Sequence, residues 1–142
     1  MIVADILKAK GIEVATAPAE TTLADIAGML HQRRIGAVVI TGSGGAVEGI
    51  VSERDIVSAV ARSGPEVLNA PVGGVMTRAV HTCDPADSIY EIMNVMTDQR
   101  IRHLPVVVDG KLKGIVSIGD VVKQRIAEIE FEASEMKRYI GG

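Results

Sequence analysis

Two short segments of the chain pair a serine with an aspartate three residues later. The copies are Gly49-Ile50-Val51-Ser52-Glu53-Arg54-Asp55 and Gly114-Ile115-Val116-Ser117-Ile118-Gly119-Asp120. This spacing is typical of a helix start, where the serine and the acidic residue cap each other's backbone N–H groups. The aspartate would lie in the first helical turn, where unpaired backbone N–H groups favour negative charge. A carboxylate held there could accept two hydrogen bonds from a vicinal diol, such as the 2′,3′-hydroxyls of a ribose.

The same pattern has a purely structural interpretation. A serine followed by an acidic residue at this distance also caps helices in proteins that bind nothing. One copy alone would favour that interpretation, whereas two copies in matching contexts leave both open. The repetition itself predicts a protein built from two similar halves.

Each repeated segment joins a strand to a helix, because the β-branched residues before the serine favour a strand. The surrounding apolar spacing predicts strand–helix–strand–strand–helix in each half, with hairpin turns at Gly42–Gly45 and at Asp109-Gly110. The predicted strands are 12–16, 37–41, 46–52, 80–82, 104–108 and 112–117. The predicted helices are 2–10, 23–33, 53–62, a segment beginning at Ile89, and 118–139. Residues 1–142 are expected to form one module with a first repeat at 8–64, a linker at 65–74, a second repeat at 75–128 and a helical extension at 129–142.

Composition limits the class of protein. With 142 residues the chain is long enough for a real core, and 2% aromatic residues mean that this core is aliphatic. A net charge of −3 gives no basic face for nucleic acid. The single cysteine, Cys83, cannot form an intrachain disulfide, which fits a reducing compartment such as the cytoplasm. We expect no signal peptide, and the apolar runs are too short to span a membrane.

The repeated segments, together with Arg-Ile-Arg-His-Leu-Pro-Val-Val at 100–107, resemble a pair of CBS domains, the repeat named after cystathionine β-synthase. The resemblance covers about residues 8–126. It implies an α+β fold of two β-α-β-β-α repeats related by pseudo-two-fold symmetry. It also implies two three-stranded sheets packed back to back, with two clefts that in many relatives hold adenosyl compounds.

The resemblance also implies which residues would bind the ligand. The family's ribose-binding aspartate corresponds to Asp55 and Asp120, and its accompanying hydroxyl corresponds to Ser52 and Ser117. An apolar slot for adenine corresponds to residues near the first strand of each repeat and before each hairpin. These are Thr16, Ile35, Gly36 and Ala37 in the first repeat, and Thr82, Ile101, Arg102, His103, Leu104 and Pro105 in the second.

The two copies differ in their candidate phosphate-binding cations. Arg54 of the first copy is replaced by Gly119 in the second, and Gly36-Ala37 is replaced by Arg102-His103. An arginine can bind phosphate through two parallel hydrogen bonds, and a histidine can add charge near neutral pH. Arg102 or His103 could contact the phosphate of the ligand whose ribose is bound at either aspartate, and the sequence leaves this assignment open.

One further candidate phosphate ligand stands near the start of each repeat: Lys10 in the first and Arg78 in the second. For Lys10, the simpler interpretation as a solvated surface residue is favoured.

The expected function is a regulatory sensor of adenine nucleotides. AMP or NAD is expected first, then ATP or ADP, and S-adenosylmethionine last because its sulfonium is positive. The signal would pass through a homodimer or a protein partner, with Ile26/Leu30 and Ile92/Met96 as candidate contact faces unless they are buried within the monomer. The alternative is a dimerising scaffold without ligand. We expect that the protein is not an enzyme, because no nucleophile or general base in the sequence has an orienting partner. We also expect no catalytic cofactor and no metal site.

Overall fold

The computed structural model describes residues 1–141, so Gly142, the last residue of the predicted helical extension, lies outside the described part. The α+β fold predicted from the sequence is confirmed. The helices are α1 (Val3–Lys10), α2 (Leu23–Arg33), α3 (Glu53–Ser63), α4 (Ile89–Gln99) and α5 (Ile118–Ile140). The strands are β1 (Thr16–Ala17), β2 (Ala37–Thr41), β3 (Val47–Ser52), β4 (His103–Val108) and β5 (Lys111–Ser117).

Two predicted strands differ from the structure. The strand predicted at 12–16 is reduced to the two-residue strand Thr16–Ala17, and residues 12–15 lie outside it. Residues 80–82 form no strand, and the parallel bridge nearby is made by the next residue, Cys83, to Val106. The Val80 N–H donates instead to the Arg78 carbonyl in a local turn at 2.9 Å. Pro85, which has no N–H to donate, follows closely. The second repeat therefore has a two-stranded sheet, β4-β5, where three strands were expected.

The chain forms two compact units. The first-repeat unit comprises Glu13–His81 with Val108–Leu112, and the second-repeat unit comprises Met1–Ile12, Thr82–Val107 and the residues from Lys113 onward. Each unit contains one complete copy of the serine–aspartate segment.

In the first-repeat unit, β2 pairs in parallel with β1 and antiparallel with β3. Helices α2 and α3 cover a core that includes Leu23, Ile26, Leu30 and Val51. The predicted linker, 65–74, is part of this unit and forms two short 3₁₀ helices, Pro65–Asn69 and Val72–Gly74. The Val72 side chain has no exposed surface and belongs to the same core.

In the second-repeat unit, α4, α5 and the parts of β4 and β5 outside 108–112 share a core with α1. Ile92 and Met96 of α4 are 3% and 2% exposed, and Val3 and Ile6 of α1 pack in the same cluster. The faces proposed above as dimer contacts are therefore core faces within their own units, which is the alternative that the sequence left open. The dimer itself stays a prediction.

The repeated glycine marks a place where another segment passes close to the backbone. Thr77 and Ile50 exchange backbone hydrogen bonds at 3.0 and 2.9 Å beside Gly49. A Cβ on Gly49 would lie 2.5 Å from the Met76 sulfur and 3.0 Å from the Thr77 carbonyl oxygen. In the second copy, a Cβ on Gly114 would lie 2.8 Å from Leu7. Only a residue without a side chain fits these positions without a shift of the neighbour.

We expect Gly49→Ala to lower the free energy of unfolding by about 1–2 kcal/mol through this overpacking. Gly28, in the middle of α2, is the matched control because a Cβ there would meet nothing within 4 Å. Gly28→Ala should raise the free energy of unfolding by about 0.5–1 kcal/mol through better helix propensity. Urea unfolding of both variants measures the difference. A change in the free energy of unfolding with the same sign in both variants would contradict the close approach at Gly49.

Candidate functional site

The first half-site is the junction of β3 and α3, formed by Ser52, Asp55, Gly36 and Ala37. Ser52 caps α3: the Ser52 N–H donates to Asp55 Oδ2 at 2.8 Å, and the Asp55 N–H approaches Ser52 Oγ at 3.4 Å. The Ser52 hydroxyl also donates to Asp55 Oδ2 at 3.2 Å. This is the reciprocal cap that the sequence predicts, and it fixes the carboxylate in the first turn of the helix.

The beginning of β2 brings the predicted adenine-slot backbone to the same place. Ala37 pairs with Ser52 across the antiparallel ladder, and the Gly36 carbonyl accepts a hydrogen bond from the Glu53 N–H at 3.2 Å. Ile35 packs against the core of its unit. Ala37 is buried while Asp55 is half-buried, so the carboxylate lies beside an apolar backbone turn.

The second half-site repeats this arrangement with Ser117, Asp120 and Arg102. The Ser117 N–H donates to Asp120 Oδ2 at 2.9 Å, and the Asp120 N–H donates to Ser117 Oγ at 3.1 Å. The Arg102 carbonyl accepts from the Ile118 N–H at 2.8 Å, as the Gly36 carbonyl does from Glu53. Both repeats therefore tie the segment before the hairpin to the start of the last helix by the same bond.

Both aspartates use one oxygen for the cap and leave the other available. All hydrogen bonds to Asp55 and to Asp120 from residues 1–141 go to Oδ2. Oδ1 of each carboxylate accepts none from the described residues. An ionised carboxylate oxygen with free lone pairs can accept hydroxyl hydrogen bonds from a ligand.

Lys10 distinguishes the two half-sites. Its ammonium, at the C-terminal end of α1, donates to Asp120 Oδ2 at 2.7 Å and to the Ile115 carbonyl at 3.1 Å. In the first-repeat unit, the Thr77 N–H donates to the equivalent carbonyl of Ile50. Among residues 1–141, Asp55 has no cation in salt-bridge contact. The interpretation of Lys10 as a solvated residue is therefore wrong: it forms an ion pair with the second aspartate.

This ion pair sets the protonation of Asp120. Burial by itself would raise the pKa of the Asp120 carboxyl. Hydrogen bonds from Lys10 and Ser117, with the positive charge of Lys10, outweigh burial and hold the pKa below its usual value. The carboxylate therefore stays ionised and acceptor-only well into the acid range.

We expect Lys10→Met to lower the free energy of unfolding at pH 7 by about 0.5–1 kcal/mol. A carboxyl with a lowered folded-state pKa stabilises the fold above its unfolded pKa of about 4, and this contribution disappears as the pH falls through the folded-state value. The difference from wild type should therefore shrink when urea unfolding is repeated below about pH 4. Lys8→Met, on the exposed part of the same helix, is the control. A difference for Lys10→Met that is equal at pH 3 and pH 7 would contradict the role of the ion pair.

The remaining predicted residues divide between the two units. Arg54 is exposed in the first turn of α3, and Arg78 donates to the Gly73 carbonyl at 2.9 Å, so part of its guanidinium is already engaged. His103 begins β4 and is half-buried, and Arg102 is exposed beside it. Their roles as phosphate ligands stay predictions.

Thr16 lies on β1, at the edge of its sheet opposite β3, whereas Thr82 lies outside the strands. Thr16 pairs with Val39 and lines an open depression of about 470 Å³ whose other walls include Glu20 and Glu48. That depression includes neither Ser52 nor Asp55, and its acidic walls do not suit a phosphate. Thr82 is exposed and precedes the Cys83 bridge to β4.

In the same region of the second-repeat unit, Pro105 is buried and its carbonyl accepts from the Cys83 N–H at 3.0 Å. Ile101 packs against the core of this unit, as Ile35 does in the first. Burial and the charges of Asp87 and Asp84 raise the pKa of the Cys83 thiol to about 12. A thiol that is protonated at neutral pH is a poor nucleophile.

Comparison with known proteins places the chain in a family. A model of the CBS domain matches residues 3–62 and again 72–126. The chain is 32% identical over 148 residues to the CBS domain-containing protein CBSX3, mitochondrial, from Arabidopsis thaliana, covering 99% of this chain and 72% of that protein. No helix in residues 1–141 is long and apolar enough to cross a membrane.

Solved structures share the fold. The CBS-domain protein ATU1752 from Agrobacterium tumefaciens is 44% identical, with a TM-score of 0.85, 88% of this chain covered and 99% of that one. The CBS domain protein PAE2072 from Pyrobaculum aerophilum, complexed with AMP, is 26% identical with a TM-score of 0.80, covering 94% and 99%. The CBS domain pair of protein MJ0100, in complex with 5′-methylthioadenosine and S-adenosyl-L-methionine, is 25% identical with a TM-score of 0.80, covering 90% and 98%.

The two ranges that match the CBS-domain model agree with the two half-sites of the structure. Each matched range contains one serine–aspartate cap and the backbone carbonyl that is tied to it. The chain belongs to the CBS-domain family and contains a tandem pair of these domains.

Proposed function

We propose that this chain is a regulatory module that binds an adenine nucleotide through the ribose. The observation that supports this most directly is the duplicated carboxylate, held at a helix start with Oδ2 in the cap and Oδ1 available. In the first half-site, Oδ1 of Asp55 would accept hydrogen bonds from the ribose hydroxyls, and the turn at Gly36 and Ala37 would contact the base. AMP or NAD is the favoured ligand, then ATP or ADP.

The choice of an adenosyl ligand is supported by the similar proteins. AMP, 5′-methylthioadenosine and S-adenosyl-L-methionine, which occur in the complexes of PAE2072 and MJ0100, share an adenosine group with a ribose diol. Asp55 and Asp120 offer this chain two carboxylates suited to such a diol.

The cations favour a ligand with phosphate over a positively charged one. Arg54 lies in the capped first turn of α3, directly before Asp55, and is exposed. Such an arginine can bind phosphate through two hydrogen bonds. S-adenosylmethionine carries a positive sulfonium where a nucleotide carries phosphate, so we place it last.

The two half-sites are not equivalent in this proposal. Gly119 stands where the first copy has Arg54, and Lys10 already neutralises Asp120. We therefore expect the half-site at Asp55 to bind AMP more tightly than the one at Asp120. A signal would leave through a homodimer or a partner protein, because a ligand shifts a population only when it binds two states with different affinity.

We expect Arg54→Met to weaken AMP binding by roughly ten- to a hundredfold, since a charge-assisted contact to phosphate contributes about 1.5–3 kcal/mol. Adenosine, which has the ribose and the base but no phosphate, should bind both proteins equally. Arg62→Met, at the exposed far end of α3, is the matched control. Isothermal titration calorimetry with AMP and adenosine measures both effects. Equal losses for AMP and adenosine would contradict a phosphate role.

The second candidate function is a scaffold without ligand. It is favoured by one observation: the reciprocal caps at Ser52 and Ser117 are complete with protein atoms alone. This candidate predicts no saturable binding of any adenosyl compound. Titration with 2′-deoxy-AMP beside AMP also separates the candidates, because binding through the diol requires the 2′-hydroxyl to matter.

A further inference from the structure

The last helix extends well beyond the core. Helix α5 has 23 residues, whereas α3, which begins with the same cap in the first repeat, has 11. Every residue from Ile129 to Ile140 is exposed. Isolated helical segments of this length are marginally stable in water. The extension therefore needs a stabilising contact that its own unit does not supply.

Apolar side chains follow one exposed line along α5 with heptad spacing. The line is Val122, Ile126, Ile129, Ala133, Met136 and Ile140, with alternating steps of four and three residues. The large side chains of this line are between 42% and 77% exposed. We call this line the α5 seam. Such spacing is the pattern by which two helices pack knobs into holes.

The α5 seam is separate from the face by which the helix packs on its own unit. That inner face carries Val121, which is fully buried, with Arg125 and Glu128, which form an ion pair. At about 100° per residue the inner face lies roughly a quarter turn from the seam. The seam is thus not a continuation of the core but a second apolar surface.

We propose that the α5 seam binds the α5 seam of a second copy of this chain, forming a short parallel two-stranded coiled coil. The charges beside the seam argue for this occupant and this direction. In a parallel coiled coil, the residue just before the first seam position of a heptad lies opposite the residue five positions later on the partner helix. Glu132 then faces the partner's Lys137, twice by symmetry. Among residues 1–141, Glu132 and Lys137 have no ion-pair partner within the chain.

The antiparallel arrangement is disfavoured by the same charges. If the two antiparallel helices overlap along the whole α5 seam, Glu130 faces the partner's Glu130 and Glu132 faces the partner's Glu132. Lys123 then faces the partner's Lys137. All of these contacts are between like charges, which destabilise neighbouring pairs. Opposite charges in one direction and like charges in the other select a parallel homodimer.

Disulfide crosslinking of the full chain tests the direction. In the parallel coil, Ile126 faces the partner's Ile126, so Ile126→Cys should form a covalent dimer rapidly under mild oxidation. Ser134→Cys lies on the opposite side of the exposed helix and should crosslink much more slowly. Native Cys83 is buried and present in both proteins. Equal crosslinking of Ile126→Cys and Ser134→Cys would overturn the proposal.

Sedimentation equilibrium tests the seam and its charges. Ile129→Glu places a charge in the seam and should raise the dimer dissociation constant by roughly a hundredfold or more. Phe131→Glu, two residues away and off the seam, should leave it unchanged. Glu132→Lys alone should weaken the dimer severalfold, and adding Lys137→Glu should restore it. A partner other than a second copy would leave the wild-type chain monomeric, and that result, or a failure of the charge swap to restore the dimer, would overturn the proposal.

Discussion

Replacing Asp55 with alanine is expected to weaken AMP binding by roughly a hundredfold or more. The substitution removes two hydrogen bonds from ribose hydroxyls to an ionised carboxylate, each worth about 1.5–3 kcal/mol. The fold should survive, because loss of the reciprocal cap at Ser52 costs about 1 kcal/mol. Calorimetric titration with AMP measures the first effect, and urea unfolding measures the second.

Two further variants separate binding from capping. Asp55→Asn keeps a side-chain oxygen for the Ser52 N–H but loses the charge, so affinity should fall while stability changes little. Asp25→Ala removes the aspartate at the equivalent position in the first turn of α2, where the backbone N–H is capped by Thr22. AMP affinity should not change in that variant. Wild-type affinity in Asp55→Asn and Asp55→Ala would show that the aspartate is a cap and nothing more.

The second large effect concerns the core of the second-repeat unit. Ile92→Ala should lower the free energy of unfolding by about 2–5 kcal/mol, because Ile92 is a core residue of α4 and its truncation leaves a cavity. The loss should be the same at low and high protein concentration, since the contact lies within one chain. Urea unfolding at two concentrations, a hundredfold apart or so, provides the measurement.

Val95 supplies the control on the same helix. Its side chain is 36% exposed, so Val95→Ala should change the free energy of unfolding much less. If the loss in the free energy of unfolding of Ile92→Ala depended on protein concentration, that face of α4 would be a dimer interface, which the sequence left open.

Local signals predicted most of the fold. The serine caps, the hairpin at Asp109-Gly110 with both φ angles positive, and the strand at Ala37–Thr41 all agree with the structure. Each depends on residues that are near one another in the sequence. The family resemblance supplied the order in which these elements combine, and the comparisons confirm it.

Long-range contacts could not be predicted in the same way. Lys10 and Asp120 are separated by 110 positions, and the sequence shows only that Lys10 stands near the start of the first repeat. In the structure, α1 belongs to the second-repeat unit, so its lysine reaches the second aspartate. Apolar spacing likewise shows that Ile92 and Met96 share a face, but not whether that face meets its own core or another chain.

Backbone contacts of the half-sites were also beyond the sequence. The carbonyls of Gly36 and Arg102 accept equivalent hydrogen bonds, although the two side chains have nothing in common. Every residue has a main-chain carbonyl, so a hydrogen bond to this group cannot be predicted from the residue type. The exposed line on α5, in contrast, is present in the sequence, where its apolar residues stand among many charged ones.

The measurement that tests the central proposal most directly is native mass spectrometry of the purified protein, titrated with AMP, ATP, NAD and S-adenosylmethionine. We predict a saturable adenosyl mass, with AMP or NAD bound more tightly than S-adenosylmethionine and the first equivalent lost in Asp55→Ala. A protein whose mass is unchanged by all four compounds would contradict the proposal, and Ser52, Asp55, Ser117 and Asp120 would then be helix caps of a scaffold.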